Sequence, residues 1–147
     1  MSVRNQEPNS LWNHFADLNA VPRPSKKEER VIEFMMNFGR ELNLETIKDK
    51  IGNVIIKKPA SPGMENRKKV ILQSHLDMVH QKNGDTVFDF DNEGIKMRVQ
   101  GDWIDAEGTT LGADNGIGVA TIMATLSSNE IQHPALEAFF TIDEETG

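Results

Sequence analysis

Cysteine is absent from all 147 residues, which removes disulfide cross-links, thiolate nucleophiles and sulfur-rich zinc sites together. Any metal must then be held by histidine and carboxylates. No apolar run is long enough to cross a bilayer, and Met1 to Ser10 has no hydrophobic segment behind Arg4, so neither a membrane span nor a secretion signal is expected. The chain reads as cytoplasmic. Positive charge is also scarce: 16 Lys and Arg against 23 Asp and Glu leave a formal charge of -7. That sign is wrong for a protein held mainly by phosphate contacts, so nucleic acid is not an expected partner. Repeats and low-complexity tracts are lacking as well. What is present is a 37% hydrophobic fraction spread along the chain. At this length a globular chain buries roughly 68–70% of its unfolded surface, enough for a core.

Spacing along the chain predicts alternating helices and strands. Ser10, as an N-cap, followed by Leu11, Trp12, Phe15 and Leu18 gives a short first helix, broken by Pro22 and Pro24. Ser25-Lys26-Lys27-Glu28 fits a capping box, and Val31, Met35, Phe38 and Leu42 line one face of a helix from Lys26 to Leu42. Val54 to Ile56 and Lys69 to Ser74 read as strands, separated by a loop that Pro59, Pro62 and Gly63 impose. Val87 to Gly101 reads as a polar insertion, with a short strand at Asp102 to Asp105. A helix capped by Asp114 or Asn115 runs through Val119, Ile122, Met123 and Leu126, and Leu136 to Ile142 is a nearly unbroken apolar strand of the kind covered on both faces. The expected class is α/β: a partial three-layer sandwich with helices on both faces of a mixed, largely parallel sheet.

Three stretches carry residue types suited to chemistry. In Ser74-His75-Leu76-Asp77, at a strand's carboxyl end, alternation puts His75 and Asp77 on one side, where Asp77 can accept from and orient a metal-bound imidazole. In Gly108 to Gly118, glycines bracket Asp114 and let the backbone approach closely, although a plain helix cap explains Asp114 equally well. The spacing lacks the Lys-Ser/Thr ending of a phosphate loop. Glu144-Glu145 follows the last strand, where one carboxylate can ligate a cation while the other accepts a proton from water. Singly each is weak, and a solvated acidic loop is the common origin of Asp143-Glu144-Glu145. Jointly they offer one His and several carboxylates, a hard or borderline divalent-metal set. Asp89 to Gly94 mimics the start of a calcium loop, but Gln100 stands where the bidentate Glu belongs, so it reads as a solvated turn. His14, His80 and His133 have no partner pattern and read as surface or capping residues.

In order and spacing, Leu72 to Val79, Gly108 to Gly118 and Thr141 to Gly147 resemble the di-metal aminoacylase and carboxypeptidase group of metallopeptidases. Within it, Pro59-Ala60, Gly63 to Lys68 and Asp77 to Asn83 are similar to the aminoacyl-histidine dipeptidases, also called Xaa-His or cytosol non-specific dipeptidases. The resemblance implies two zinc ions, or manganese or cobalt on the same donors, with His75 on one ion, Asp114 bridging and Glu145 on the other. It implies that Asp77 orients His75 and that Glu144 is the general base in metal-dependent hydrolysis of dipeptides, those ending in His included. Residues 1–147 would then be the amino-terminal portion of the catalytic domain. The lid or dimerisation domain, the carboxyl-terminal part and the homodimer it forms would lie outside, leaving this chain alone inactive and a poor binder of zinc. The competing expectations are a non-catalytic module binding a metal or a partner, and a tripeptidase or carboxypeptidase relative with the same metal core. Glu144 favours an enzyme, since mere binding needs no proton acceptor beside the metal.

Overall fold

The computed structural model describes residues 2–147. Its helices are α1 (Asn9–Asn19), α2 (Glu29–Glu41) and α3 (Ala113–Ser127). Its strands are β1 (Glu45–Lys48), β2 (Val54–Lys58), β3 (Val70–His75), β4 (Met97–Gln100), β5 (Trp103–Ala106) and β6 (Leu136–Thr141), and short 3-10 turns span Val3–Asn5 and Glu144–Thr146. No helix among the described residues is long and apolar enough to cross a membrane.

β1 and β2 form a hairpin whose turn is tied by one side chain: Asp49 Oδ1 accepts from the amides of Ile51, Gly52 and Asn53 at 2.8–3.0 Å. β6 then inserts between β2 and β3, giving the order β1-β2-β6-β3. It runs antiparallel to β2 and parallel to β3, with His75 opposite Thr141. The α/β class and the mixed sheet agree with the expectation from sequence, but most pairings are antiparallel rather than parallel. A tight turn at Asp49 to Asn53 forces the first two strands to pair antiparallel, whereas the connection from β3 to its parallel partner β6 is long and contains α3.

Layering differs too. Leu18 of α1, Val31, Met35 and Met36 of α2, and Val119, Ile122, Met123 and Leu126 of α3 form one buried cluster with Val54, Ile56, Ala138 and Phe140. These strand residues alternate with Ile55 and Phe139, so all three helices cover one face. The opposite face carries Ile71, 63% exposed, and Ile47, 38% exposed. β6 is therefore buried and half-buried in alternation, not covered on both sides. Gly39 of α2 lets the helix close on the sheet, because a Cβ there would collide with the Thr46 side chain and touch Ile56.

The polar insertion contains β4 as well as β5, and the two make a separate antiparallel hairpin. Asp89 accepts from Asp91 N at 2.9 Å and Asn92 Nδ2 at 2.7 Å, the solvated turn expected there. His133 is buried, not superficial: its amide donates to Ser61 Oγ at 3.1 Å and Nδ1 donates to Pro134 O at 2.8 Å, which fastens the approach to β6.

Candidate metal centre

The parallel pairing of β3 with β6 brings two carboxyl ends to one side of the sheet, and α3 enters from the same side. His75 closes β3, Glu144 and Glu145 follow β6, and Asp114 sits in the first turn of α3. His75, Asp114 and Glu145 each offer a ligand atom within 4.8 Å of the others'. His75 is buried, the Asp114 side chain is 85% exposed, and Glu145 is half-buried, so the cluster opens outward. Beside it lies a depression of about 320 Å³ lined by Val79, Thr110, Leu111, Gly112 and Ala113 together with Asp114 and Glu145.

The histidine's tautomer follows from its contacts. Nδ1 is 3.0 Å from the Asp77 carbonyl oxygen and 3.3 Å from Asp77 Oδ1, both acceptors, so Nδ1 carries the proton. In the neutral ring, Nε2 then presents a lone pair to Asp114 Oδ1 at 3.2 Å and Glu144 Oε2 at 3.7 Å. Acceptors facing one another without a donor repel, and a cation among them relieves the repulsion. The donor set, one imidazole and carboxylates without sulfur, suits zinc or manganese.

Asp77 is completely buried and fully employed. Oδ1 accepts from Glu144 N at 3.1 Å, and Oδ2 accepts from Glu145 N at 3.1 Å and Ser25 Oγ at 2.7 Å. Burial works against its charge, but these hydrogen bonds and His75 outweigh burial and hold the carboxyl below its ordinary range. Asp77 thereby joins the strand-end histidine to the acidic turn. That turn is a 3-10 turn entered through Asp143 at φ +60, not the extended segment that alternation assumed. Asp143 is occupied elsewhere, bonded to Lys26 and Thr146, which leaves Glu144 and Glu145 facing the cluster.

Neither proposed cap accepts from an amide of α3 through its side chain. Asp114 and Asn115 form a kink in the first turn, with non-helical backbone angles and a cis peptide between them. Asn115 Oδ1 instead accepts from the buried Ser74 hydroxyl at 2.6 Å. Ser25 and Glu28 likewise abandon the capping box. α2 begins at Glu29, Ser25 serves Asp77, and Glu28 Oε1 accepts from Asp143 N at 3.0 Å. Both side chains are thus bonded to residues 52 and 115 positions away in the chain, not to each other's amides. These supports went unseen in the sequence. His14 and His80 stand outside the cluster, the first against Ser127 and Phe38, the second against Phe90.

No family model matches the sequence. The cytosol non-specific dipeptidase of Escherichia coli (strain K12) is 47% identical over 140 residues, 95% of this chain and 29% of the dipeptidase. The crystal structure of an aminoacylhistidine dipeptidase from Vibrio alginolyticus superposes with a TM-score of 0.98 at 47% identity, over 100% of this chain and 30% of that one. Over its whole length the chain is similar to the amino-terminal part of these dipeptidases. It spans about 30% of their length. A tripeptidase from Staphylococcus aureus shares the fold at 22% identity, with a TM-score of 0.75 over 94% of this chain and 37% of the tripeptidase.

Proposed function

We propose that these residues form part of the metal centre of a cytoplasmic dipeptidase that hydrolyses unblocked dipeptides, Xaa-His among them, with two zinc ions. The observation that carries this reading is the convergence of His75, Asp114 and Glu145 from three separate elements onto one outward-facing point. Identity of 47% to proteins named as dipeptidases supports the substrate class, and the word cytosol in one of those names supports the compartment.

In this reading His75, Asp114 and Glu145 would hold the ions, with Asp114 shared between them. Bound there, the ions would polarise the scissile carbonyl and make a water more acidic. Glu144, a 57% exposed carboxylate beside His75, is placed to act as the general base, and would take a proton from the attacking water and pass it to the leaving amine. Asp77 keeps the His75 proton on Nδ1, so that Nε2 is the donor atom. With Asp114 shared, this chain supplies each ion with two protein donors, fewer than the three usual for catalytic zinc. Turnover therefore needs donors from outside these 147 residues, and we assign the homodimer contact to residues outside them as well.

Calorimetric titration with zinc chloride tests the centre. With its incomplete donor set the 147-residue chain is expected to bind zinc weakly, and Asp114→Ala to abolish that binding; a chain that takes no zinc would overturn the proposal. In a longer protein carrying this chain, Glu144→Gln is expected to keep zinc while dipeptide turnover falls at least about 100-fold, the scale of a lost general base. Retained turnover would remove Glu144 from its role.

A further inference from the structure

Arg23 is the most deeply buried cation among the described residues, 1% exposed, and no step above uses it. Burying a charge costs several kcal/mol even after relaxation, and an apolar residue of similar volume commonly serves stability as well or better. Burial pulls this guanidinium down to about 10 despite the nearby Asp77, and its Nε has no partner. The fold nevertheless makes room for it. A Cβ on Gly112 would lie 2.5 Å from Nη2, and one on Gly116 2.8 Å from Nη2 and 2.7 Å from the Phe15 ring, so both glycines leave room for the fork.

What it holds gives the reason. Nη1 donates to Leu76 O at 3.0 Å, and Nη2 donates to Gly112 O and to Asn19 Oδ1, each at 2.8 Å. Asn19, itself fully buried, donates through Nδ2 to Leu111 O at 3.0 Å. Leu76 lies between His75 and Asp77, while Gly112 lies two residues before Asp114. The two backbone segments that present the proposed metal donors thus end on one planar fork. The main chain adds to the clamp, since Met78 N donates to Arg23 O at 3.1 Å.

We propose that Arg23, braced by Asn19, is a positioning residue that sets the spacing between the His75 strand end and the Asp114 loop. This rests on the metal reading above for its purpose, though not for its geometry. A lysine keeps the charge but cannot span both carbonyls with a rigid fork. Charge and position predict opposite signs. A cation near a metal site repels the metal, so removing it would tighten binding if charge were its only effect.

The test compares Arg23→Lys and Arg23→Met in the 147-residue chain, with zinc chloride titrations and amide hydrogen exchange at Gly116, whose N–H donates to Gly112 O at 3.0 Å. Both variants are expected to bind zinc roughly 10- to 100-fold more weakly, the scale seen when outer partners of metal ligands are lost. Gly116 exchange should accelerate without an equal change at core amides of β6. Unchanged or tighter zinc binding in Arg23→Met overturns the proposal. If the unsubstituted chain takes no zinc, the metal reading fails by itself, and Gly116 exchange decides the clamp: faster in Arg23→Lys supports it, unchanged overturns it. If neither variant folds, Asn19→Asp decides. It keeps an acceptor for Nη2 and removes the donor to Leu111; weaker zinc binding despite the added negative charge supports the proposal, and unchanged or tighter binding overturns it.

Discussion

Ser25 donates to a carboxylate that also receives two backbone amides, so its hydroxyl completes the neutralisation of a buried charge. Hydrogen bonds to charged groups are worth about 1.5–3 kcal/mol, and Ser25→Ala is expected to lower stability by that amount in urea denaturation. A loss under about 0.5 kcal/mol would mean that the hydroxyl is dispensable to Asp77. His14 supplies a pH effect of calculable sign. Burial holds its imidazole below the ordinary 6.5, against the pull of Asp17. The unfolded chain binds that proton first, so His14's contribution is whole above about pH 6.5 and drains away as pH falls toward the lowered folded value. Urea midpoints measured across this range should fall less steeply in His14→Gln. His75, Asp77, Asp114, Glu144 and Glu145 were legible because strand ends and bracketing glycines are local features. Arg23, Ser25 and Glu28 were not, because the contacts that tie them to the site reach partners 52 to 115 residues away.

Helix α3 shows how an element can be shaped by its contacts against its own propensity. Replacing a glycine inside a helix with alanine ordinarily gains roughly 0.5–1 kcal/mol. At Gly118 a Cβ would run into Asn115 Oδ1 and lie 2.5 Å from Ser74 Oγ, the pair that fixes the residue after Asp114. Gly118→Ala is therefore expected to cost about 1–3 kcal/mol, as overpacking does, and to weaken zinc binding as well. Denaturant melts and calorimetry on the same sample check both, and a stabilised variant with normal zinc affinity would refute the account. Helices α1 and α2 and strands β2, β3 and β6 could be read from apolar spacing. β1 and β4 could not, since Glu45-Thr46-Ile47-Lys48 and Met97-Arg98-Val99-Gln100 are four-residue strands with little apolar content, defined by their partners alone.

Across the whole molecule, one cluster ties all three helices to one face of the sheet, and Phe140 sits in it without exposure. Phe140→Ala is expected to lower stability by about 3–5 kcal/mol, measured by urea unfolding. The sheet order was beyond the reach of spacing rules, because which strands become neighbours is decided by long-range pairing and not by the strands' own composition. That order also bears on how the protein is made. β6 is the last of the strands in the chain, yet it is the one that separates β2 from β3. Without β6 the β1–β2 hairpin and β3 have no shared partner, so the four-stranded sheet cannot close before that strand is available. Closure through contacts so distant in sequence is intrinsically slow. His75 and Asp77 therefore gain their full set of partners only once β6 and the acidic turn behind it are in place, so on the reading proposed above the donors of a metal would assemble together with the sheet and not before it.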